Sequence, residues 1–546
     1  MPKGRKKGGK KRATSHRSRL RRRIGIDPYT IALIALLVFS VFMEVYFFYG
    51  PSQINAADNF LYTKIARGVI DNGVSTLQYG GSVFKSEYFL IFGISAFYSL
   101  MGKSVLSFAM FGIVTFAGTV LLVYLIGKEL YGRKSAMMAA LLYSFYPMAV
   151  IYGANVSDTG PMAFFAALSV FLMVLAYKRA SQAPRQRGRR APSSVPLYIL
   201  SGIIATIGLL VTAEGVVILV PIAGFLAAAA FYNRDFSPLK GLGYVFLGVI
   251  AGLGIIMLTS AAITGSPLHA LSAISGLYTS ISNTHGNLMS YLSTMMPYSL
   301  SSPITPVNYN PDNYLSGYFM YAAILAAAYL IIRKDKGSML PVMWFLAALL
   351  YLSYGTMSLF KYNIIQFATR YAMLFGPAMA LLIGRGVINF IGLPIHRRKR
   401  ADYKFAAKLI ISIALVALLF AQSVYLIWYL SASEYVSVQP LAQIGNYINS
   451  LPAGTSITKP YNVYLSAYVD NGYNITSVVV VNSSKVDNGT YVVAGNPTGF
   501  PQECGIGSIS GLDEVFAPAA ANTINPPLIP EYCNMYKLRV YIKSAK

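Results

Sequence analysis

The sequence predicts an all-α polytopic membrane protein with about eleven transmembrane helices, an outer interfacial helix and a small α/β C-terminal domain. Of its 546 residues, 55% are hydrophobic and 12% are charged, whereas soluble domains carry about 25% charged residues. Apolar runs long enough to span a bilayer recur along most of the chain. In lipid the backbone must satisfy its own hydrogen bonds, so these runs are predicted to be helices.

The N-terminal segment 1–28 is a basic tail. It has twelve Lys and Arg residues between Lys3 and Arg23 and no acid before Asp27. Further basic clusters lie in short loops beside apolar runs, which is typical of cytoplasmic loops. The tail is therefore predicted to be cytoplasmic and to contact anionic lipid. RNA or ribosome binding is the alternative, but this charge distribution does not favour nucleic acid as a partner. The run 29–49 exceeds a usual signal-peptide h-region and is predicted to be a retained signal anchor.

Parity determines the topology. Three apolar runs, 29–49, 87–101 and 104–127, separate the tail from the basic loop around Lys128 and Arg133. An odd number of crossings cannot return the chain to the same side. The middle run is too short to span, so it is predicted to be an interfacial helix on the outer surface.

The remaining spans follow from the same reasoning. Together with 29–49 and 104–127 they make eleven: 134–153, 159–177, 196–213, 215–232, 241–263, 314–332, 339–358, 371–391 and 405–430. The first outer loop is 50–103, and the outer loop 264–313 contains no Lys or Arg. The predicted transmembrane domain is 29–430, and residues 431–546 form an extracytoplasmic domain of a multi-pass cell-membrane protein.

The C-terminal segment changes composition near Glu434. Its pattern predicts a helix and three strands, at Leu441–Leu451, Val478–Val481, Tyr491–Val493 and Leu538–Ile542. Both cysteines of the chain, Cys504 and Cys533, lie here. An oxidising compartment favours a disulfide between them, and two free thiols are the alternative.

Four charged residues fall at outer ends of predicted spans: Asp58, Asp158, Glu214 and Arg370. A charged side chain at membrane depth costs about 2.5 to 3.5 kcal/mol, so each is a functional candidate. Taken singly, the aspartates could be helix N-caps and Arg370 an interfacial side chain whose charge reaches water. Their occurrence on one face favours a common site.

Several motifs follow one another in the order of a known superfamily. Asp58 follows the first span, a Leu-Tyr-Gly-Arg loop ends at Arg133, an Ala-Ala-Leu-Leu span runs from Ala139 to Pro147, and the turn at Asp158 comes next. Arg370 and Tyr371 then precede Pro377 by the spacing of an R-Y-x-x-x-x-x-P span start. This order resembles the GT-C glycosyltransferases, in particular the protein mannosyltransferase and aminoarabinose transferase branch, over residues 29–391.

The resemblance implies a membrane enzyme that transfers a sugar from a polyprenyl (dolichyl-type) phosphate donor to a protein, lipid or glycan acceptor on the outer face. Asp58 would be the general base, and Asp158 would orient either the acceptor or the partner of Asp58. Arg370, assisted by Lys361, would bind the lipid phosphate. The substrate-binding set is completed by Tyr371, Glu87 and Glu214. No cofactor is expected. His269 and His285 alone are a weak metal signal, and a divalent metal is left open.

The sequence also departs from that pattern. Asn59 stands where the family has a second acid, and Glu214 replaces a lysine. No W-W-D motif occurs, since the two tryptophans are Trp344 and Trp428, and this argues against an oligosaccharyltransferase. A multi-pass transporter or lipid flippase is the alternative function, although internal repeats and broken mid-membrane helices are not evident. A non-catalytic member of the same fold is the third, because of Asn59.

Overall fold

The structure is a computed structural model. It describes residues 27–49, 57–78, 85–102, 104–182, 193–273, 317–355, 369–392, 403–460, 474–478, 486–495, 512–516 and 538–543.

The predicted spans form helices in the expected order. The helices are α1 Pro28–Tyr49, α2 Ala57–Asn72, α3 Tyr88–Met101, α4 Val105–Tyr131, α5 Arg133–Ser144, α6 Pro147–Ala154, α7 Thr159–Gln182, α8 Val195–Ile207, α9 Leu219–Asn233, α10 Ser237–Thr264, α11 Gly317–Ile332, α12 Met339–Tyr354, α13 Gly376–Ile391 and α14 Tyr403–Asn449. Within the described ranges, six helices are long and apolar enough to cross a membrane, and α5 with α6 makes a seventh if that pair is one span. The multi-pass membrane class is therefore confirmed, and the count of eleven spans stays a prediction.

The predicted span 134–153 is broken. Helices α5 and α6 meet at a bend of 59°, and α6 begins with Pro147. Proline has no backbone N–H and clashes with the preceding turn, so a helix stops before it and a new one starts at it.

Three spans were predicted too long at one end of the bundle. Helix α8 ends at Ile207 and α9 begins only at Leu219, with 3-10 turns at Gly208–Leu210 and Ala213–Ile218 between them. Another 3-10 turn, Thr369–Leu374, precedes α13. Gly208 and Gly215 let the first two turns approach closely, since a Cβ on Gly215 would lie 3.4 Å from the Gly208 carbonyl oxygen.

The core of the bundle is formed around α4, which packs against α1, α3, α5 and α7. Trp344 is fully buried, and its indole N–H donates to the carbonyl of Leu374 at 2.9 Å. Helix α8 packs closely on α10 through Gly202 and Gly248. Small residues allow such close backbone approach between membrane helices.

The short helix α3 has one buried face, formed by Tyr88, Leu90, Ile91, Ile94, Ser95 and Tyr98. This face packs against α2 and α4. The helix predicted for the segment 87–101 is confirmed, and its interfacial location stays a prediction.

The C-terminal segment contains a mixed sheet. Its strands are β1 Ser456–Pro460, β2 Asn474–Val478, β3 Tyr491–Gly495, β4 Asp513–Phe516 and β5 Leu538–Ile542, in the order β2-β1-β3-β5-β4. Strands β3 and β5 confirm two predicted runs. The helix predicted for Leu441–Leu451 is confirmed over residues 441–449, where it forms the last part of α14, which runs without interruption from Tyr403 to Asn449. Cys504 and Cys533 lie outside the described residues.

Candidate functional site

Asp158 lies at the junction of the irregular turn 155–158 and α7. Its side chain is buried, and its backbone carbonyl accepts the first-turn hydrogen bond from Met162 N at 2.9 Å. The flanking hydroxyls of Ser157 and Thr159 lie 3.0 Å apart. The turn therefore holds a buried carboxyl at the N-terminal end of a buried helix.

Glu214 lies in the 3-10 turn Ala213–Ile218 and is fully buried. The hydroxyl of Thr212 donates a hydrogen bond to its carboxylate. Since α8 ends before this turn and α9 starts after it, Glu214 is held in a tight reversal between two helices and not on a helix face.

Arg370 and Tyr371 lie on the 3-10 turn Thr369–Leu374, so Arg370 does not head the α13 helix as expected. The guanidinium Cζ of Arg370 lies 5.6 Å from the centroid of the Tyr371 ring, within cation–π range. Tyr371 is buried, and it interacts electrostatically with Glu214, Arg370 and Asp158. These four residues are called the Tyr371 cluster below.

The cluster forms because three distant chain segments meet at one end of the bundle. Both 3-10 turns, Ala213–Ile218 and Thr369–Leu374, pack on α7 and on α12. Gly160, in the first turn of α7, allows close approach of α6, since a Cβ there would lie 3.2 Å from the Tyr152 carbonyl oxygen. Asp158, Glu214 and Tyr371, one from each segment, are thus separated by 56 to 213 positions in the sequence.

Glu87 connects α2 with α3. It is buried immediately before α3, and its carboxylate accepts a hydrogen bond from the hydroxyl of Tyr62 on α2. Tyr62 belongs to the same apolar cluster as Val156, which lies two positions before Asp158. Phe89 of α3 also packs edge-on against Phe165 of α7 at 5.1 Å.

Two predicted site residues have no described side chain. Asp58 is in the first turn of α2, but its side chain is not among those described, and Lys361 lies in the segment 356–368. His269 is described, and the described residues contain no group of three or more His, Cys, Asp or Glu side chains that could hold a metal. No residue set for a metal is therefore identified in these ranges.

Glu44 was not selected from the sequence. It lies on α1 and is fully buried, and neither carboxyl oxygen has a hydrogen-bond partner among the described residues. A Cβ on Gly153 of α6 would lie 3.0 Å from both oxygens, so the carboxyl packs against the helix that leads into the Asp158 turn. The signal was present in the sequence, as a lone acid inside an otherwise apolar span.

Comparison with known proteins gives matches of sequence and of fold. Residues 89–257 match the family described as dolichyl-phosphate-mannose-protein mannosyltransferase. No curated protein matches the sequence significantly.

Solved structures match over most of the chain. ArnT from Cupriavidus metallidurans in the apo state has a TM-score of 0.57 and 12% identity, covering 95% of this chain and 98% of that one. The same protein bound to undecaprenyl phosphate gives 0.56, with 12% identity and coverage of 96% and 99%.

The apo oligosaccharyltransferase of Archaeoglobus fulgidus gives a TM-score of 0.54 at 14% identity, covering 85% of this chain and 69% of that one. At such low identity these likenesses concern the fold. The sequence match over 89–257 and the fold shared with these transferases both agree with the resemblance to the GT-C glycosyltransferases.

Proposed function

We propose that the protein is a membrane glycosyltransferase that transfers a sugar from a polyprenyl phosphate to an acceptor on the outer membrane face. The observation that carries the proposal is the Tyr371 cluster, in which two buried carboxyl groups and a guanidinium interact electrostatically with one buried phenol. Helix caps and isolated interfacial arginines give no reason for such convergence across distant segments. A site that binds an anionic donor and a polar acceptor explains why these residues come together.

In this mechanism the acceptor oxygen or nitrogen attacks the anomeric carbon of the donor sugar. A new bond forms to that carbon, the bond to the phosphate oxygen breaks, and the acceptor proton goes to a carboxylate. Asp58 is the proposed base, and Asp158 is proposed to orient the acceptor. Arg370 is proposed to stabilise the leaving lipid phosphate, because charge-assisted hydrogen bonds to phosphate are strong and directional.

The donor class is supported by fold likeness. The ArnT structure that contains undecaprenyl phosphate matches nearly the whole of this chain, and an oligosaccharyltransferase structure with a tethered acceptor peptide matches with a TM-score of 0.51. A lipid-phosphate sugar donor is accordingly the first class to test. Protein, lipid and glycan acceptors all remain in the panel.

The test is sugar transfer by purified protein in lipid, with radiolabelled polyprenyl-phosphate sugars as donors and a membrane extract as acceptor. The variant Asp158→Asn keeps the shape of the side chain and removes its charge, and we expect at least a hundredfold loss of turnover. Asp235→Asn is the matched control, since Asp235 is exposed near Ser237 at the other end of the bundle. Equal rates of sugar transfer by wild type, Asp158→Asn and Asp235→Asn would contradict a role for Asp158 in the proposed site. Donor translocation without sugar transfer would instead support the flippase.

A further inference from the structure

A cavity of about 760 Å³ lies at the opposite end of the bundle from the Tyr371 cluster. It is lined by the C-terminal ends of α4, α7, α9 and α11, the loop after α11 and the N-terminal half of α12. This end carries the basic loops and is called the basic face below. The volume falls in the range of about 300 to 1,000 Å³ that is usual for ligand sites.

The cavity wall is mostly apolar. Its buried part includes Val174, Phe225, Ala229 and Leu330. At its mouth Tyr232, Ile331 and Leu346 are 63%, 57% and 45% exposed. Exposed apolar side chains on a membrane-spanning bundle face acyl chains, so the cavity opens toward lipid.

The rim of the cavity has surplus positive charge. Lys178 is paired with Glu129 at 2.6 Å, and Asp335 is paired with Arg385 at 2.7 Å. Lys334 and Lys336 also line the cavity and form no ion pair with the described carboxylates. The Lys336 ammonium lies 4.5 Å from the centroid of the Tyr232 ring, which holds it at the mouth.

We propose that this cavity binds an anionic phospholipid, with an acyl chain in the apolar part and the phosphate between Lys334 and Lys336. Basic pockets between membrane helices are suited to lipid head groups. A soluble phosphate would leave the apolar wall uncovered, and a zwitterionic lipid would not neutralise the two lysines. The site is separate from the proposed sugar-transfer site and does not depend on that activity.

The chain offers a closely matched control for these lysines. Lys334 has a backbone φ of 53°, and Arg234, in the neighbouring basic loop, has a φ of 50°. One double variant replaces Lys334 and Lys336 by Gln, and the control double variant replaces Arg234 and Lys240 by Gln. Each removes two positive charges from the basic face, so their lipid affinities can be compared directly. Arg234 and Lys240 do not line the cavity.

The test is native mass spectrometry of the delipidated full chain in detergent, titrated with phosphatidylglycerol, phosphatidylcholine or inorganic phosphate. We expect wild-type protein and the Arg234/Lys240 variant to bind phosphatidylglycerol at least tenfold more tightly than phosphatidylcholine. The Lys334/Lys336 variant should lose this preference, since one charge-assisted contact corresponds to about tenfold or more in affinity. Retained preference in that variant would overturn the proposal.

A second variant tests the apolar part of the cavity. Val342→Trp adds bulk to the wall and should weaken binding of phosphatidylglycerol at least tenfold, whereas Leu350→Trp on the same helix, at an exposed position outside the lining, should not. If inorganic phosphate displaced phosphatidylglycerol from the protein, the cavity would be a site for a free ion and the lipid proposal would be wrong. Stronger binding of undecaprenyl phosphate than of phosphatidylglycerol would also contradict a phospholipid site.

Discussion

Arg370 lies against the ring of its own chain neighbour Tyr371, with 5.6 Å between the guanidinium Cζ and the ring centroid. Adjacent residues can stack this way because the chain turns tightly in the 3-10 segment Thr369–Leu374. Glu214 and Asp158 interact with the same phenol. The guanidinium is thus positioned by an aromatic face in a cluster that also contains two carboxyl groups.

Replacing Arg370 by Ala should raise the apparent KM for the polyprenyl-phosphate donor. A charge-assisted hydrogen bond contributes about 1.5 to 3 kcal/mol, which corresponds to at least about a tenfold change. Arg370→Lys should recover only part of the loss, because lysine keeps the charge and lacks the planar fork. Titrating the donor in the sugar-transfer reaction measures the apparent KM of the Arg370→Ala and Arg370→Lys variants.

Arg333→Ala provides the control for Arg370. Arg333 lies over Tyr329 at 5.8 Å, a nearly identical cation–π geometry at the basic face. Its loss should leave the donor KM unchanged. An equal effect of the two substitutions would indicate a general structural effect and would contradict a donor-binding role for Arg370.

Close packing of α8 on α10 gives a prediction about stability. A Cβ on Gly248 would lie 2.0 Å from the Ile199 carbonyl oxygen, and one on Gly202 would lie 2.1 Å from that of Val245. Backbone atoms cannot give way as side chains do, so Gly248→Ala should destabilise the bundle by at least about 1 to 3 kcal/mol. Thermal unfolding in detergent, followed by circular dichroism, would measure the loss.

Gly243 is the matched control on the same helix, since a Cβ added there would have no neighbouring atom within 4 Å. Gly243→Ala should leave stability unchanged or raise it by about 0.5 to 1 kcal/mol, because alanine favours the helix. Destabilisation by Gly243→Ala equal to that by Gly248→Ala would mean that helix contacts of this kind do not limit stability.

Sequence reasoning predicted the helices in the right order because each apolar run must satisfy its backbone internally. It failed where helices end. The run that contains Phe145 and Tyr146 is uniformly apolar, but Pro147 divides it, and the 3-10 turns depend on contacts such as that between Gly208 and Gly215. The helix propensity of each local segment does not predict contacts between residues of different turns.

The candidate site was predictable in part. Charge at span ends placed Asp158, Glu214 and Arg370 on one expected face, and topology alone brings such residues to one end of a bundle. Which side chains meet depends on the rotation of each helix about its axis, and sequence periodicity is weak in spans that are apolar all round. The central position of Tyr371 and the contact of Glu44 with Gly153 therefore emerged only from the structure.

Cysteine labelling in intact cells would test the predicted orientation. Leu268→Cys lies at an exposed position in the predicted outer loop, and Asp235→Cys lies at an exposed position in a predicted inner loop. An impermeant maleimide should label the first from outside and the second only after permeabilisation, with the unsubstituted protein as the blank. Labelling of Asp235→Cys in intact cells would contradict the parity argument.

Glu44 should tolerate an apolar substitute. An unpaired buried polar group costs about 1 to 3 kcal/mol, so Glu44→Met, which keeps the length, should leave the melting temperature unchanged or higher. Asp335→Asn is the comparison, since Asp335 accepts a hydrogen bond from Arg385 at 2.7 Å and its loss should lower stability. A large drop in stability for Glu44→Met would mean that the carboxyl has a partner outside the described ranges.

Lys459 gives a prediction about pH. It lies in β1, outside the membrane spans, where burial and, to a smaller extent, nearby Lys64 lower its pKa from 10.5 to about 8. The folded protein therefore releases this proton at lower pH than the unfolded chain does. Between pH 8 and 10.5 the unfolded chain binds more protons, so this residue's contribution to stability rises with pH, and below pH 8 the cost of burying the charge is fully present.

Lys459→Met removes that cost and should be more stable than wild type at pH 7. The difference should narrow as the pH rises from 7 to 9.5, because wild-type Lys459 becomes neutral over this interval. Melting temperatures of both proteins across the interval measure the difference, and groups common to both cancel. In a Lys64→Gln background, the difference in melting temperature should narrow at higher pH, since Lys64 lowers the Lys459 pKa. If the difference in melting temperature between wild type and Lys459→Met stayed constant from pH 7 to 9.5, Lys459 would remain charged up to pH 9.5.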